Sequence, residues 1–400
     1  MLERPARLMP ADGSPLELVG VACRDLARAR AAGIPANLLT DAPAHLVASP
    51  AVDVVVELMG GDEPARTLIA AALAAGKPVV TANKHVIAHH GPELEAIARR
   101  NDVALRFEAA VAGGIPVLSP LASDLAANDV SRIRGIVNGT TNYILTAMAE
   151  EGRPYDDVLA DAQRLGYAEA DPSGDVEGDD AVNKLVILAR LGFGVWLDPS
   201  AIVRCPPTLR GTGRPGITGV NAREIAGAAA LGLTLKLLAT ATSGGDTVAC
   251  TVLPTAVPSD SPFGLTSGVT NQVAIDALPL GAVRLVGPGA GGAATGSAVL
   301  GDLLAIARGG TSTWAGLPPA MEGAGHAAAT PDPARHWYAF LPAMGRDGPA
   351  MPTALGGGAS VPVGDGTAIR SGSVTLAEAR AALARILPDG VDITLYPIDD

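Results

Sequence analysis

The sequence predicts an α/β fold in which a parallel sheet is followed by a second, α+β domain with a mixed sheet. Up to Glu108, short apolar segments alternate with segments of helix length. This alternation is typical of parallel strands joined by right-handed crossover helices. After Gly113 and Gly114 the helical segments become longer and the strands lie further apart. That change indicates where the second domain begins.

The individual elements follow from runs of branched apolar residues and from the amphipathic segments between them. In the first domain we predict strands Leu16–Cys23, Val52–Met59, Pro78–Thr81 and Val103–Glu108, and helices Pro64–Ala75 and Pro92–Arg100. In the second domain we predict helices Pro116–Leu125 and Thr140–Glu151, and strands Ile133–Val137, Thr247–Leu253 and Asn271–Val286, the last interrupted at Pro279.

These elements divide the chain into a first domain over residues 1–113 and 288–310 and a second over 114–287. The apolar helix pattern Ala294–Arg308 is expected to return to the first domain. Residues 311–366 are rich in Gly, Pro, Ala and Thr, which predicts a linker whose one strand is Trp337–Leu341. Residues 367–400 show a strand-helix-strand pattern that is too short for a core of its own.

Charge and hydropathy exclude two kinds of partner. The net charge is −12, whereas a nucleic-acid surface needs a clustered basic patch. No apolar run approaches the ~20 residues of a membrane helix, and the first residues, MLERPARLMPADG, lack the apolar core of a signal peptide. We therefore expect a cytoplasmic protein in which Cys23, Cys205 and Cys250 are reduced thiols.

Lysine is rare in this chain, in which almost every basic residue is arginine. The lysines are Lys77, Lys84, Lys184 and Lys236. Arginine keeps its proton at any working pH, whereas the environment can tune a lysine to release one. A lysine in this background therefore indicates chemistry, although chance is the better explanation for any single one of them.

An acidic segment precedes one of these lysines. It carries Glu169, Asp171, Asp175, Glu177, Asp179 and Asp180 and leads into an apolar helix pattern that contains Lys184. Asp180 and Lys184 are four residues apart, so they share one helical face and the carboxylate can hold the ammonium. Taken alone, the segment is better explained as a solvated acidic loop with a surface ion pair.

Seven motifs occur in one order over residues 16–308, and together they resemble the core of the homoserine dehydrogenases. They are ELMGG at Glu57–Gly61, AGKPVVTANK at Ala75–Lys84, FEAAVAGGIP at Phe107–Pro116, NGTTNYIL at Asn138–Leu145, GYAEADPSGDVEGDD at Gly166–Asp180 with Lys184, GITGV at Gly216–Val220, and GPGAGG at Gly287–Gly292 with Thr295 and Ser297. The resemblance implies reversible, NAD(P)H-dependent reduction of aspartate 4-semialdehyde to homoserine in amino-acid biosynthesis.

The resemblance also implies roles for the acidic segment and for two lysines. Lys184 stands at the family's catalytic lysine and is expected to give a proton to the carbonyl oxygen, while Lys84 is the second lysine of the active site. Glu169 and Asp180 match the ligands of the substrate ammonium, which needs carboxylates at hydrogen-bond distance. Asp175 is expected to help orient Lys184 and the substrate.

For the cofactor, the resemblance implies a Rossmann-like first domain that is truncated at its amino terminus, because no GxGxxG turn precedes Leu16. A catalytically weakened or inactive relative, acting as a binding or subunit-interaction protein, is therefore the alternative interpretation. Arg24 follows the first strand, where an arginine meets the 2′-phosphate of NADP. The expected cofactor contacts are Arg24, Met59, Gly60, Lys84, Gly289 and Gly291.

Three further expectations come from the resemblance. Oxygen atoms of Glu108, Val111, Gly113 and Ile115 match a loop that binds a monovalent cation, and a tight interdomain turn explains the same residues equally well. The second domain is expected to form a homodimer through its sheet. The tail over 367–400 corresponds at most to a remnant of a regulatory domain of the ACT type.

Overall fold

The computed structural model of the chain describes residues 16–245, 247–314, 316–319, 333–343 and 355–400. These residues form two compact units. Unit 1 takes the described residues of Met1–Ala127, Arg190–Trp196 and Ala290–Ala324, and unit 2 takes those of Asn128–Ala189, Leu197–Gly289 and Gly325–Asp400.

This division differs from the predicted boundaries, because residues 114–127 belong to unit 1. The reason is local. The carboxylate of Glu108 accepts hydrogen bonds from the main-chain N–H groups of Val117, Leu118 and Ser119. These bonds tie the segment after the Gly113-Gly114 turn back to the unit that precedes it.

Unit 1 is built from parallel strands and the helices that connect them. In chain order its elements are β1 (Val21–Ala22), α1 (Leu26–Ala31), β2 (Leu39–Thr40), α2 (Pro43–Ala48), β3 (Val55–Glu57), α3 (Ala65–Ala74), β4 (Val79–Thr81), α4 (Lys84–Arg100), β5 (Leu105–Arg106), α5 (Leu118–Ala122) and, late in the chain, α11 (Gly292–Ala307). β1 pairs with β2, and β4 lies between β3 and β5, all in parallel register. The predicted parallel α/β class is confirmed.

The first strand is much shorter than the predicted Leu16–Cys23. The length of a strand is set by its hydrogen-bonded pairing with a neighbour. Within the described residues, β1 pairs only with the two residues of β2. Strand β2 is not among the predicted strands. Helix α4 is longer than predicted, since it starts at Lys84 and contains Pro92 in its interior. In the core of this unit, Val299 of α11 packs with Val80 of β4 and Ala109.

Unit 2 contains longer strands. Its elements are β6 (Asp129–Ile136), α6 (Gly139–Glu151), α7 (Tyr155–Arg164), α8 (Ser173–Val176), α9 (Asp179–Phe193, whose last residues count with unit 1), α10 (Ala222–Ala230), β7 (Leu233–Ser243), β8 (Val248–Pro258), β9 (Thr270–Leu278), β10 (Gly281–Pro288), β11 (Trp337–Pro342), β12 (Ala359–Val363), β13 (Gly366–Arg370), α12 (Leu376–Ala384) and β14 (Tyr396–Pro397).

The larger sheet of unit 2 has the order β10-β9-β6-β7-β8, and each of these pairings is antiparallel. The expectation of a mixed sheet is therefore wrong for the named strands. Short connections join β7 to β8 and β9 to β10, and a short connection allows only antiparallel pairing. Parallel pairing occurs at isolated bridges on β8, between Val203 and Thr251 and between Ala256 and Ile398.

A second antiparallel sheet, in the order β12-β13-β11-β14, corrects the predicted linker and tail. Strand β12 lies inside the predicted linker, and Gly364 and Asp365 form the two-residue turn that leads into β13. The tail also takes part in a core, because Leu383 and Leu395 pack with Trp337 and Ile369. Among the described residues, no helix is both long and apolar enough to cross a membrane.

Candidate active site

Lys184 lies on α9, one helical turn after Asp180, as the spacing predicts. Its Nζ is 2.6 Å from Asp180 Oδ2 and donates a second hydrogen bond, 2.7 Å long, to the main-chain oxygen of Val137. The Lys184 and Asp180 side chains are only 10% and 12% exposed. The pair is thus largely removed from solvent, which contradicts the interpretation of a solvated surface ion pair.

Asn138 connects this pair to a second carboxylate. Its Nδ2 donates to Asp180 Oδ2 at 2.8 Å and to Asp175 Oδ1 at 2.7 Å. Its Oδ1 accepts from the N–H of Thr141 and so caps the first turn of α6. Asn138 is not among the site residues predicted from the sequence. An asparagine directly before a helix is a capping signal, but nothing in that signal indicates that the amide also bridges two carboxylates.

The electrostatics of Asp175 differ from those of an exposed aspartate. Burial, together with the negative charge of Asp180, raises the pKa of Asp175, and the hydrogen bond from Asn138 opposes this shift. By contrast, hydrogen bonds from the side chain and the N–H of Ser173 lower the pKa of Asp171, which is exposed. The site therefore holds one carboxylate whose charge the fold disfavours.

The raised pKa of Asp175 predicts how its replacement changes stability with pH. Protonation of Asp175 stabilises the folded state. This stabilisation is fully present below the unfolded pKa of about 3.9 and is lost as the pH rises through the higher pKa of the folded state. Asp175→Asn is neutral at every pH and avoids the loss. We expect its free energy of unfolding, relative to the wild type, to increase with pH from about 4 upward.

Urea denaturation of both proteins across a pH series checks this expectation. Asp171→Asn is the matched control with the opposite sign, because the pKa of Asp171 is lowered and its charge favours the folded state. That variant is expected to lose stability relative to the wild type as the pH rises. A difference for Asp175→Asn that is independent of pH, or that falls with pH, would show that the fold does not disfavour its charge.

Glu169 lies on the loop before α8 and is exposed. Within the described part of the chain, its carboxylate makes no hydrogen bond, and the loop is held through its main chain. Gln163 Nε2 donates to the Glu169 carbonyl, and Thr140 Oγ1 donates to the carbonyl of Tyr167. Lys184 thus contacts Asp180 directly, and the Asn138 amide links Asp175 to Asp180. Glu169 lies exposed on the adjoining loop.

In unit 1, Lys84 is half-buried and begins α4 directly after β4. Asn83 caps this helix by accepting a hydrogen bond from the N–H of Val86. The Asn83 amide also donates to the carbonyl of Gly61, at 2.8 Å. Lys84 is therefore fixed at the carboxyl end of a parallel strand, where ligands of doubly wound folds collect.

A buried carboxylate shapes the loop that carries Met59 and Gly60. Glu57 Oε1 accepts hydrogen bonds from the N–H groups of Met59 and Gly60, at 2.6 and 3.2 Å. Its Oε2 accepts from Thr81 Oγ1 at 2.6 Å. Gly60 and Gly61 have φ of +70° and +72°, a conformation that favours glycine. Glu57 and Thr81 belong to the ELMGG and AGKPVVTANK motifs, but their contact is not evident from the sequence.

A cavity of about 1820 Å³ lies in unit 1, lined by residues of β1, β3 and α11. Arg24, Met59 and Gly60 all line it, so the structure brings these predicted cofactor contacts to one place. Arg24 is exposed, and a Cβ atom added to Gly60 would meet nothing within 4 Å. Both features suit a ligand with phosphate groups that approaches the main chain.

Gly289 and Gly291 are not among the residues that line this cavity. Gly289 belongs to unit 2, where a Cβ atom would lie 2.0 Å from Asn271 Nδ2. Gly291 has a φ of +110° and precedes the first turn of α11. Glycine is therefore required at the first position by packing and at the second by backbone conformation.

The predicted cation loop contains a tight turn. Glu108 is buried, and its carboxylate is occupied by the start of α5, including a 2.6 Å hydrogen bond from Ser119 Oγ. Ala112 and Gly113 have φ of +53° and +50°, while Val111 and Ile115 are buried. The backbone at Ala112 and Gly113 therefore has the tight turn that is the alternative to a cation loop. Main-chain oxygens, rather than the Glu108 side chain, are the donors that this loop can offer to a cation.

Comparison with known proteins places these features in a family. The family model for homoserine dehydrogenase matches residues 116–304, and the model for its NAD-binding domain matches residues 3–108. A homoserine dehydrogenase of Synechocystis is 45% identical over 295 residues, which make up 73% of this chain and 66% of that protein. The enzyme of Corynebacterium glutamicum is 43% identical over 76% of this chain and 69% of its own length.

Solved structures agree. A homoserine dehydrogenase from Thiobacillus denitrificans is similar with a TM-score of 0.81 and 33% identity, covering 96% of this chain and 90% of that one. A hyperthermophilic archaeal homoserine dehydrogenase in complex with NADPH gives a TM-score of 0.62 at 29% identity, over 76% of this chain and 92% of that one. The buried ion pair of Lys184 and Asp180, the acidic loop and the parallel strands of unit 1 thus occur together in one chain. This chain belongs to the homoserine dehydrogenase family.

Proposed function

We propose that this chain is a homoserine dehydrogenase, which interconverts aspartate 4-semialdehyde and homoserine with a nicotinamide nucleotide. The observation that carries the proposal is the buried ion pair of Lys184 and Asp180, held by Val137 and Asn138. A buried ammonium in a fixed position is suited to a carbonyl oxygen that gains negative charge during the reaction.

Lys184 is the proposed proton donor for semialdehyde reduction. Among the described residues its Nζ donates to Val137 and Asp180, which leaves one of its three N–H groups for the substrate oxygen. As that oxygen becomes an alkoxide, the ammonium stabilises it and then transfers the proton. In homoserine oxidation the neutral amine takes the hydroxyl proton back.

The carboxylates around Lys184 are the proposed ligands of the substrate ammonium. Glu169 is exposed and open, whereas Asp180 and Asp175 are held by Asn138. An ammonium between carboxylates forms charge-assisted hydrogen bonds, which are roughly twice as strong as neutral ones. We infer that Glu169 makes the first contact and that Asp180 serves both the substrate and Lys184.

The unit 1 cavity is the proposed cofactor site. Arg24, Met59 and Gly60 line it, and Lys84, Gly289 and Gly291 are the further cofactor contacts proposed from the family motifs. When bound, the nicotinamide would supply or accept the hydride. Arg24 favours NADP over NAD, because a guanidinium pairs with the 2′-phosphate.

Arg24→Ala is expected to raise the KM for NADPH by about tenfold and to leave the KM for NADH nearly unchanged, since a hydrogen bond to a charged group contributes about 1.5 kcal/mol or more. Arg30→Ala is the control, because Arg30 is exposed on the neighbouring helix α1 and does not line the cavity. Steady-state kinetics with both nucleotides measure the ratio. An equal change for NADPH and NADH would remove Arg24 from phosphate recognition.

Two finer proposals accompany this function. Main-chain oxygens of Glu108, Val111, Gly113 and Ile115 would hold a monovalent cation, a role tested by comparing activity in sodium, potassium and tetramethylammonium chloride. A homodimer through the larger sheet of unit 2 is tested by sedimentation of the purified chain. The comparisons give no support to the alternative of a catalytically weakened or inactive relative.

The function itself is tested by mixing the purified chain with aspartate 4-semialdehyde and NADPH. We expect the absorbance of the reduced nicotinamide to fall, with one homoserine formed for each NADPH consumed, and we expect the reverse with homoserine and NADP⁺. A purified, folded chain that catalyses neither direction, while a homoserine dehydrogenase relative does so under the same conditions, would overturn the proposal.

A further inference from the structure

We propose that Asn138 is a positioning residue that fixes the direction of the Lys184 ammonium by clamping Asp180 and Asp175; this inference rests on the proposed function. The amide Nδ2 lies 2.8 Å from Asp180 Oδ2 and 2.7 Å from Asp175 Oδ1. Asp180 Oδ2 also accepts from Lys184 Nζ. One carboxylate oxygen is thus shared by the catalytic ammonium and the clamp.

The main chain reinforces this arrangement. Val137, the residue before Asn138, accepts a hydrogen bond from Lys184 Nζ through its carbonyl. Two consecutive residues at the end of β6 therefore fix the ammonium, one directly and one through Asp180. A lysine side chain is flexible, so these contacts restrict which direction its remaining N–H group can take.

Asparagine suits this position because of what its side chain offers. Its two N–H groups reach the two carboxylates, and its oxygen caps α6 at the N–H of Thr141. Both N–H donors of the amide and one lone pair of its oxygen are thereby used. Serine would keep the cap but could not bridge both carboxylates. Aspartate would keep the cap and add a third negative charge beside Asp175 and Asp180.

The test uses Asn138→Asp and Asn138→Ser in the full chain. We expect Asn138→Asp to lower kcat for homoserine oxidation by about 10²-fold, the effect of misplacing a catalytic group by about 1 Å. The added negative charge raises the already raised pKa of Asp175 further, so the acid limb of the pH profile should move to higher pH. Asn138→Ser should lower kcat without this movement of the acid limb.

Asn221→Asp is the matched control. Asn221 caps α10 by accepting from the N–H groups of Arg223 and Glu224, and its side chain bridges no pair of carboxylates among the described residues. The same substitution there should leave kcat and the pH profile unchanged. If Asn138→Asp fails to fold, Asn138→Ser still tests the clamp through its lowered kcat.

A second readout does not require activity. With lysine labelled by ¹⁵N, the four lysines of the chain give few signals, and Lys184→Ala identifies the one from Lys184. We expect both Asn138 variants to shift the Lys184 Nζ signal at a fixed pH, because Asp180, which accepts from this ammonium, loses its hydrogen bond from Asn138. Wild-type kinetics and an unmoved Lys184 signal in both Asn138 variants would overturn the clamp. An inactive wild type with a moved signal would instead overturn the proposed function and leave the clamp supported.

Discussion

Lys184→Ala is expected to lower kcat for homoserine oxidation by about 10²- to 10⁴-fold, the range in which a positioned acid or base contributes to rate. The variant loses the ammonium that lies 2.6 Å from Asp180 and 2.7 Å from the Val137 oxygen. The KM for homoserine should change less, because the proposed ligands of the substrate ammonium remain. Steady-state kinetics in both directions provide the measurement.

Lys77→Ala is the matched control for the loss of a lysine. Lys77 lies in unit 1, and its Nζ donates to the main-chain oxygens of Val47 and Ser49 at 2.8 and 2.5 Å. Its removal should change stability and leave kcat within about twofold, because a lysine that only satisfies carbonyls makes no contribution to proton transfer. If both lysine variants lost activity equally, Lys184 would have no special role in the chemistry.

The largest stability loss is expected from Glu95→Ala in unit 1. Arg190 is fully buried and Glu95 is 3% exposed. Glu95 accepts from Arg190 Nη2 at 2.7 Å, from Arg190 Nε at 3.0 Å and from Trp196 Nε1 at 2.8 Å. Burial opposes the charge of Glu95, yet the hydrogen bonds from Arg190 and Trp196 hold the pKa of Glu95 below its usual value.

Removal of that carboxylate leaves the Arg190 guanidinium buried without its partner, which typically costs about 3–5 kcal/mol. Arg153→Ala is the comparison, because Arg153 forms partly exposed ion pairs with Glu151 and Asp161, and ion pairs that solvent screens contribute little to stability. Urea denaturation measures both losses. Equal losses for the two variants would show that burial does not make the Glu95 contact more important than a surface pair.

The rarity of lysine is a sequence feature that predicts function only in part. Lys184 proves to be paired and buried, whereas Lys77 and Lys236 are held by structural acceptors. Lys236 donates to Asn142 Oδ1 and to the carbonyl of Thr266, and burial lowers its pKa to about 8. Rarity alone therefore does not distinguish a catalytic lysine from a packing lysine. The helical spacing to Asp180 and the surrounding motif are the features from which we propose Lys184 as the catalytic lysine.

Contacts between distant segments are what the sequence does not predict. Asp180 and Lys184 are one helical turn apart, so their pairing follows from local geometry. Asn138 reaches Asp175 and Asp180 only because β6 ends beside α8 and α9, and Glu57 reaches Thr81 only because β3 and β4 are neighbours. Each of these contacts depends on the tertiary fold.

The carboxyl-terminal region shows the same limit for secondary structure. Glycines such as Gly364 and Gly366 give residues 311–366 the composition of a linker. In the structure, however, Gly364 lies in the turn between β12 and β13, and Gly366 begins β13. Strand β11 then pairs with β13 in the same sheet. Composition alone could not distinguish a hairpin turn from a flexible segment, because both favour glycine.

The most direct test of the proposed site is the crystal structure of this chain with homoserine bound. We expect the homoserine hydroxyl oxygen within about 3 Å of Lys184 Nζ, and its ammonium at a similar hydrogen-bond distance from Glu169 or Asp180. Lys184 should keep its contacts with Val137 and Asp180 in that complex. Homoserine bound away from Lys184, or with its carboxylate rather than its hydroxyl on the lysine, would contradict the assignment of Lys184 as the proton donor.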